Sequence, residues 1–246
     1  MMTLLKYDFR RNWNILLAGL VVLIIVQIGL ALFMSEVAGL IIGIIAYAGA
    51  GVAIYVRMIK TYWSNIRAYN RRLVPVTGLS HLLSPLIFGT LCGLGLTAVA
   101  IIHYFLYVAT NARMHFLSYI HLSGIHLSDW LTLLLFIWWV AIFMTIMIFL
   151  SISIGGSFRW KAGPWISIVS FFVLTNLISW LENVILAGRF NPNELFQFTQ
   201  ESTGITLTAN GVLWSDGRLG SILFEIIVAV IMVGVAVYLN NKKVEV

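Results

Sequence analysis

Charge is scarce in this sequence. Lysine, arginine, aspartate and glutamate make up 10% of the 246 residues, against roughly a quarter in soluble domains. That scarcity excludes an ordinary soluble fold, whose surface needs far more polar area. Cysteine is nearly absent as well. Cys92 stands alone inside an apolar segment, so no internal disulfide forms and the thiol reads as a small hydrophobe. The Gly-x-x-x-x-Gly-Lys-Ser/Thr phosphate loop is missing, so the chain is not expected to hydrolyse ATP by itself. There is no His-Glu-x-x-His pair for an intramembrane zinc protease, no internal repeat and no low-complexity tract. The first apolar run, Ile15 to Phe33, is longer than a signal-peptide core and lacks an Ala-x-Ala cleavage pattern, so it reads as a retained helix.

What the sequence has in abundance is apolar surface, at 61% hydrophobic residues, and that surplus has to face lipid. A helix needs about 20 apolar residues to cross a hydrocarbon core about 30 Å thick. Six segments meet that length, approximately Asn14–Phe33, Val37–Val56, Leu86–Ala109, Trp130–Ile154, Trp165–Ala187 and Gly220–Leu239. Backbone polar groups in lipid must be satisfied internally, so these are helices. The predicted fold is an all-α integral membrane protein, residues 1–246 forming one transmembrane domain.

The net charge of +6 first resembles a nucleic-acid signal, but its placement says otherwise. Lys6, Arg10 and Arg11 precede the first span. Arg57, Lys60, Arg67, Arg71 and Arg72 lie between spans two and three, Arg159 and Lys161 between four and five, and Lys242 and Lys243 after six. These twelve fall on one side; only Arg113, Arg189 and Arg218 fall on the other. The positive-inside rule places the twelve, and both termini, in the cytoplasm. Trp130, Trp160, Trp165 and Trp214 sit near span ends, as interfacial aromatics do. Gly39 with Gly43, and Gly89 with Gly93, are small residues four apart that allow close helix approach.

Outside the spans, Leu5, Phe9 and Trp13 recur every four residues beside Lys6 and Arg10, which predicts an interfacial N-terminal helix. From Met58, an apolar stripe of Ile59, Tyr62, Ile66, Tyr69 and Leu73 opposes Lys60, Ser64, Arg67 and Arg71. That pattern extends span two as an amphipathic helix into the cytoplasm. Pro75 breaks it, and Thr77 caps a helix that runs through His81 into span three. The product is a helix–break–helix elbow with a basic, aromatic surface, which equally suits anionic lipid. Between spans five and six, Asn191-Pro192-Asn193-Glu194 reads as the start of a short helix carrying Leu195, Phe196 and Phe198. Ile205 to Thr208 and Val212 to Trp214, around Asn210-Gly211, read as an outer hairpin.

Two acids fall within spans: Glu182 in the outer third of span five, and Glu225 about one and a half turns into span six. An intramembrane acid costs roughly 2.5–3.5 kcal/mol at the helix centre and less toward the interface. They are therefore functional candidates, the plain alternative being that both reach outward to water. With Glu194, Glu201 and Asp216 they make an acidic outer vestibule suited to a cationic substrate. His115, His121 and His126 share one outer loop and His103 ends span three. A metal centre needs convergent ligands and supporting groups, and loop histidines at these spacings do not define one.

In outline the whole chain resembles the type-2 permease subunits of bacterial ATP-binding-cassette exporters. Leu73-Val74-Pro75-Val76-Thr77 is similar to the Leu-Pro-Val-Ser/Thr stretch that family carries before its third span; here Gly78-Leu79-Ser80 follows, where the family often has basic residues. The resemblance implies a multi-pass protein of the bacterial inner membrane, working as a pair of permease subunits. It implies that the elbow, including Arg67, Tyr69, Arg71, Arg72, Leu73, Pro75, Thr77 and His81, couples to a separate ATPase subunit. ATP and Mg²⁺ would be held on that partner, with no cofactor in this chain and no nucleic-acid role. Peptide antibiotics, lipids and ions are the substrate range the resemblance implies. Other classes stay open. A secondary transporter or the substrate-binding component of an importer would place ion-binding or broken helices at mid-membrane. An intramembrane enzyme would need a nucleophile, acid pair or metal set at depth, and a membrane sensor leaves no diagnostic motif.

The charge partition is testable with single cysteines in a Cys92-free background. Cysteines replacing Ser64, Ser157 and Asn241 should resist an impermeant thiol reagent in intact cells, whereas those replacing Ser118 and Ser202 should react. Labelling at position 64 from outside would overturn the assigned orientation.

Overall fold

The computed structural model describes residues 2–67, 78–110, 120–121, 127–158, 163–186, 196–201, 204–209 and 216–242. Six long helices dominate: α1 (Met2–Phe33), α2 (Glu36–Arg67), α3 (Gly78–Thr110), α4 (Leu127–Gly156), α5 (Gly163–Leu186) and α6 (Asp216–Lys242). Each contains a stretch long and apolar enough to cross a membrane, so the chain is an α-helical, multi-pass membrane protein. Large apolar side chains such as Ile25, Phe105 and Val230 point outward. Lipid meets them without penalty, while the helical ladder satisfies the backbone. The chain packs as two units, residues 1–113 with Val246 and residues 114–245.

In the first unit each of α1, α2 and α3 touches the other two. The N-terminal residues expected to form a separate interfacial helix are the opening turns of α1, which runs unbroken to Phe33. No proline or glycine lies between Leu5 and Asn14, and the Asn12 amide donates to the Asp8 carbonyl one turn back at 2.9 Å. Helix α2 likewise continues past the predicted span end at Val56 to Arg67. Its buried stripe is Met58, Tyr62 and Ile66, with Lys60 exposed, close to the amphipathic pattern read from the sequence. Helix α3 starts at Gly78 and passes through Pro85. Tyr69, Arg71, Arg72, Leu73, Pro75 and Thr77 lie outside the described residues, and Arg67 is described in its backbone alone.

The core of this unit is built from Tyr62, Leu82 and Phe88, all with no exposed surface. Phe9 meets Phe88 edge to face at 5.0 Å, a favoured aromatic geometry. Glycine opens the approach: a Cβ at Gly89 would strike the Met58 side chain. Gly43 lies against Gln27, whose amide donates to the Gly43 carbonyl at 3.2 Å. Gly39 lies within reach of the Leu30 carbonyl, but Gly93 has nothing within 4 Å. Three of the four glycines read as packing positions therefore border a neighbour.

In the second unit α4 packs on both α5 and α6, burying Phe143, Ile146, Met147, Phe149 and Leu150. A close approach joins α4 to α5. A Cβ at Gly155 would collide with the Ser167 hydroxyl and the Gly163 carbonyl, a crossing the sequence reading did not mark. A small sheet completes the unit, in the order β1-β3-β2: β1 (Ile120–His121), β2 (Phe196–Glu201) and β3 (Gly204–Ala209). β1 pairs parallel with β3, and β2 pairs antiparallel from Phe196 opposite Ala209 to Glu201 opposite Gly204. This corrects the sequence reading, in which Phe196 and Phe198 belonged to a short helix and the hairpin began at Ile205. Phe196-Gln197-Phe198-Thr199 alternates with period two, the strand signature. The proline-based helix start at Asn191–Glu194 lies outside the described residues.

Glycine substitutions separate the two kinds of site. Gly155→Ala has no room and should destabilise by about 1–3 kcal/mol, the usual range for overpacking. Gly93→Ala should leave the thermal unfolding midpoint in detergent unchanged or slightly raised. Equal effects at the two positions would contradict the packing described here.

Candidate functional site

Apolar helices leave few places for polar side chains, so where these gather is informative. The first cluster lies at the end of the first unit where α1 begins, α2 ends and α3 begins. Three pairs of polar residues, Asp8 and Asn12, Thr61 and Asn65, Ser80 and Ser84, each have the i, i+4 spacing that puts both members on one helix face. All six are buried, Asp8 and Ser84 completely. Ser84 Oγ donates to Asp8 Oδ2 at 2.7 Å, and Asn65 Nδ2 donates to the same oxygen at 3.3 Å. Asn12 Nδ2 donates to Thr61 Oγ1 at 3.1 Å, and Thr61 Oγ1 donates to the Arg57 carbonyl at 2.8 Å. At the rim, Arg11 Nη1 donates to Ser64 Oγ at 2.7 Å.

A carboxylate removed from water is costly unless donors surround it, and here they come from both other helices. The Asn65 orientation follows from the same demand. Its amide nitrogen must face the carboxylate, since the reverse would set oxygen against oxygen. Among the described residues its Oδ1 is consequently buried without a hydrogen-bond partner. The sequence reading passed over Asp8 because it sits in a basic flank rather than in a span. The three matching i, i+4 polar pairs were the signal available.

The second cluster lies in the second unit and contains the two acids singled out from the sequence. Glu182 on α5 accepts from Ser221 Oγ on α6. Glu225, one turn after Ser221, accepts from Trp139 Nε1 of α4 at 2.5 Å. The two carboxylates are near enough to interact electrostatically. The structure thus brings Glu182 and Glu225 together and supplies each with a donor, as an intramembrane acid requires. Trp139 was not expected in this role. The tryptophans noted from sequence were those at span ends, whereas Trp139 lies inside α4 and packs 6.5 Å from Phe143. Glu194 lies outside the described residues.

The remaining candidates among the described residues do not converge, and His115 and His126 lie outside those residues. His81 is half-buried in the first turn of α3. His103 packs between Tyr47 at 5.8 Å and Tyr107 at 6.4 Å, an aromatic contact rather than a ligand set. Among the described residues no three histidines, cysteines or acids are grouped to hold a metal ion. Comparison with protein-family models, curated proteins and solved structures finds no match to this chain.

The Glu225 contact yields a graded expectation. Glu225→Gln keeps an acceptor oxygen for the Trp139 indole, whereas Glu225→Ala strands a half-buried N–H. The alanine variant should therefore lose about 1–3 kcal/mol more stability than the glutamine variant, read by chemical unfolding monitored through tryptophan fluorescence. Identical stabilities would mean the contact contributes nothing.

Proposed function

We propose that this protein is the membrane-spanning permease subunit of a bacterial ATP-binding-cassette exporter, acting with a separate ATPase and a second permease subunit. The observation that carries the reading is helix α2, which continues without a break from an apolar span to Arg67, with α3 restarting at Gly78. Only the short stretch 68–77 separates two long helices. A displacement applied there enters the membrane through stiff rods rather than being lost in a loop. Six helices of spanning length and the twelve-to-three partition of basic residues further support the reading, with both termini and the 68–77 connection in the cytoplasm of the inner membrane.

In this reading the chain supplies no covalent chemistry. ATP and Mg²⁺ are held by the partner, and nucleotide drives work only by binding two global states with different affinity. Arg67, Arg71 and Arg72 pair with carboxylates of the partner, while Tyr69 and Leu73 fill its groove; aromatic and arginine anchors are typical of interface cores. Pro75 and Thr77 set the break and restart, and His81 follows in the first turn of α3. Glu182 and Glu225, with Glu194, give the outer end an acidic lining for a cationic substrate. A cation-coupled secondary transporter is the second reading, favoured by the Glu182–Glu225 pair alone.

Reversing Arg71 and Arg72 to Glu decides between partner and lipid. Docking predicts at least a tenfold loss of co-purified ATPase with normal membrane insertion. Retention of the ATPase with normal coupled turnover, and loss of anionic-vesicle binding instead, would sink the docking role.

A further inference from the structure

The Asp8 cluster has a placement that the proposed function does not use. Asn65 stands in the last turn of α2, two residues before Arg67, and Ser84 in the second turn of α3, six residues after Gly78. Both donate to one oxygen, Asp8 Oδ2 on α1. A single carboxylate on a third helix thus bridges the two helix ends that flank residues 68–77. We infer that Asp8 is a positioning residue: its carboxylate clamps the end of α2 to the start of α3 and fixes their separation and rotation. The consequence for coupling, that the clamp makes both helices move as one when the ATPase pushes on their connection, rests on the reading above.

Packing alone would not achieve this. The apolar contacts in the region, Met58 on Gly89 and Phe9 on Phe88, set how closely the helices approach, but the burial that drives them is itself non-directional. Hydrogen bonds weaken steeply when their angle or length departs from a narrow range. A buried polar side chain is also a poor way to gain stability, since apolar side chains of equal volume often serve as well. What an oxygen shared between two donors supplies is register. The three polar pairs at i, i+4 extend the device along each helix. Asn12 and Thr61 join α1 to α2 one turn deeper, and Arg11 with Ser64 closes the rim.

The clamp is tested on the purified chain alone, without any ATPase. Spin labels on cysteines replacing the exposed Lys60 and Leu79, in a Cys92→Ala background, report the spacing of α2 and α3 in lipid nanodiscs. The native clamp should give one narrow distance distribution. Asp8→Ala should broaden or shift it, and Asp8→Asn, which keeps an acceptor oxygen, should fall between. Should Asp8→Ala fail to insert, Ser84→Ala removes one donor only and should still broaden the distribution. A distribution unchanged in every inserted variant overturns the clamp. The coupling half is read with the ATPase bound: Asp8→Asn should retain the partner while transport per ATP hydrolysed falls at least threefold, a ratio that mere loss of folded protein leaves unaltered. An unchanged ratio beside an altered distance refutes the coupling consequence. Failure of the native chain to bind any ATPase refutes the proposed function and leaves the distance result standing.

Discussion

A carboxylate withdrawn from water must be surrounded by donors, and the first unit of this protein is organised around meeting that demand for Asp8. The backbone of α1 is committed to its own helix and offers Asp8 no donor. Donors have to arrive from α2 and α3, so Asn65 and Ser84 must face inward at the same height. Tyr62, three residues before Asn65, and Phe88, four after Ser84, enter the core on the same faces, and Gly89 has to stay small for Met58 to pass. The second unit obeys the same rule, with Glu182 and Glu225 met by Ser221 and Trp139. In each unit the polar contacts set which helix faces meet, and the apolar side chains fill what remains.

Much of this was legible in the sequence, for a physical reason. Lipid imposes one secondary structure and one minimum length on any spanning segment, so composition alone places six helices, and the six of the structure overlap the six expected. Helix ends were less legible. The readings at Asn14 and Val56 marked where hydropathy falls, whereas α1 already begins at Met2 and α2 runs on to Arg67. Hydropathy reports the membrane, and a helix does not stop at it. Gly43 and Gly89 were readable as close-approach positions because four-residue spacing marks a helix face. Gly93 shows the same spacing facing open space, since spacing says nothing about which face meets a neighbour. Gly155 escaped notice because no second glycine stands four residues from it.

The candidate sites divide along the same line. Glu182 and Glu225 could be selected from sequence because an acid inside an apolar run stands out, but their partners belong to other helices and emerge only from packing. Asp8 shows the converse: it sits among Lys6, Arg10 and Arg11, where an acid looks like one more solvated charge. The reading of Phe196 and Phe198 as helical failed for a third reason. Asn191-Pro192 is a strong local signal for a helix, yet Phe196–Glu201 pairs with Gly204–Ala209, and strand pairing outweighs local preference once a partner is adjacent.

The lengths of the first three helices carry a consequence for the membrane surface. α1 and α2 have 32 residues and α3 has 33, about a dozen more than a span needs, which at 1.5 Å per residue is about 18 Å of excess rise. On the sequence, that excess falls at the beginning of α1, the end of α2 and the beginning of α3, which the Asp8 cluster gathers at one end. Headgroups add only about 5–8 Å on each side of the hydrocarbon. With the spans where the sequence reading sets them, the ends of α1 and α2 would form a short tip standing clear of the lipid layer by about 10 Å. A globular protein resting on that tip would be held off the bilayer, free of friction with lipid, and would turn about a fixed pivot instead of sliding along the surface.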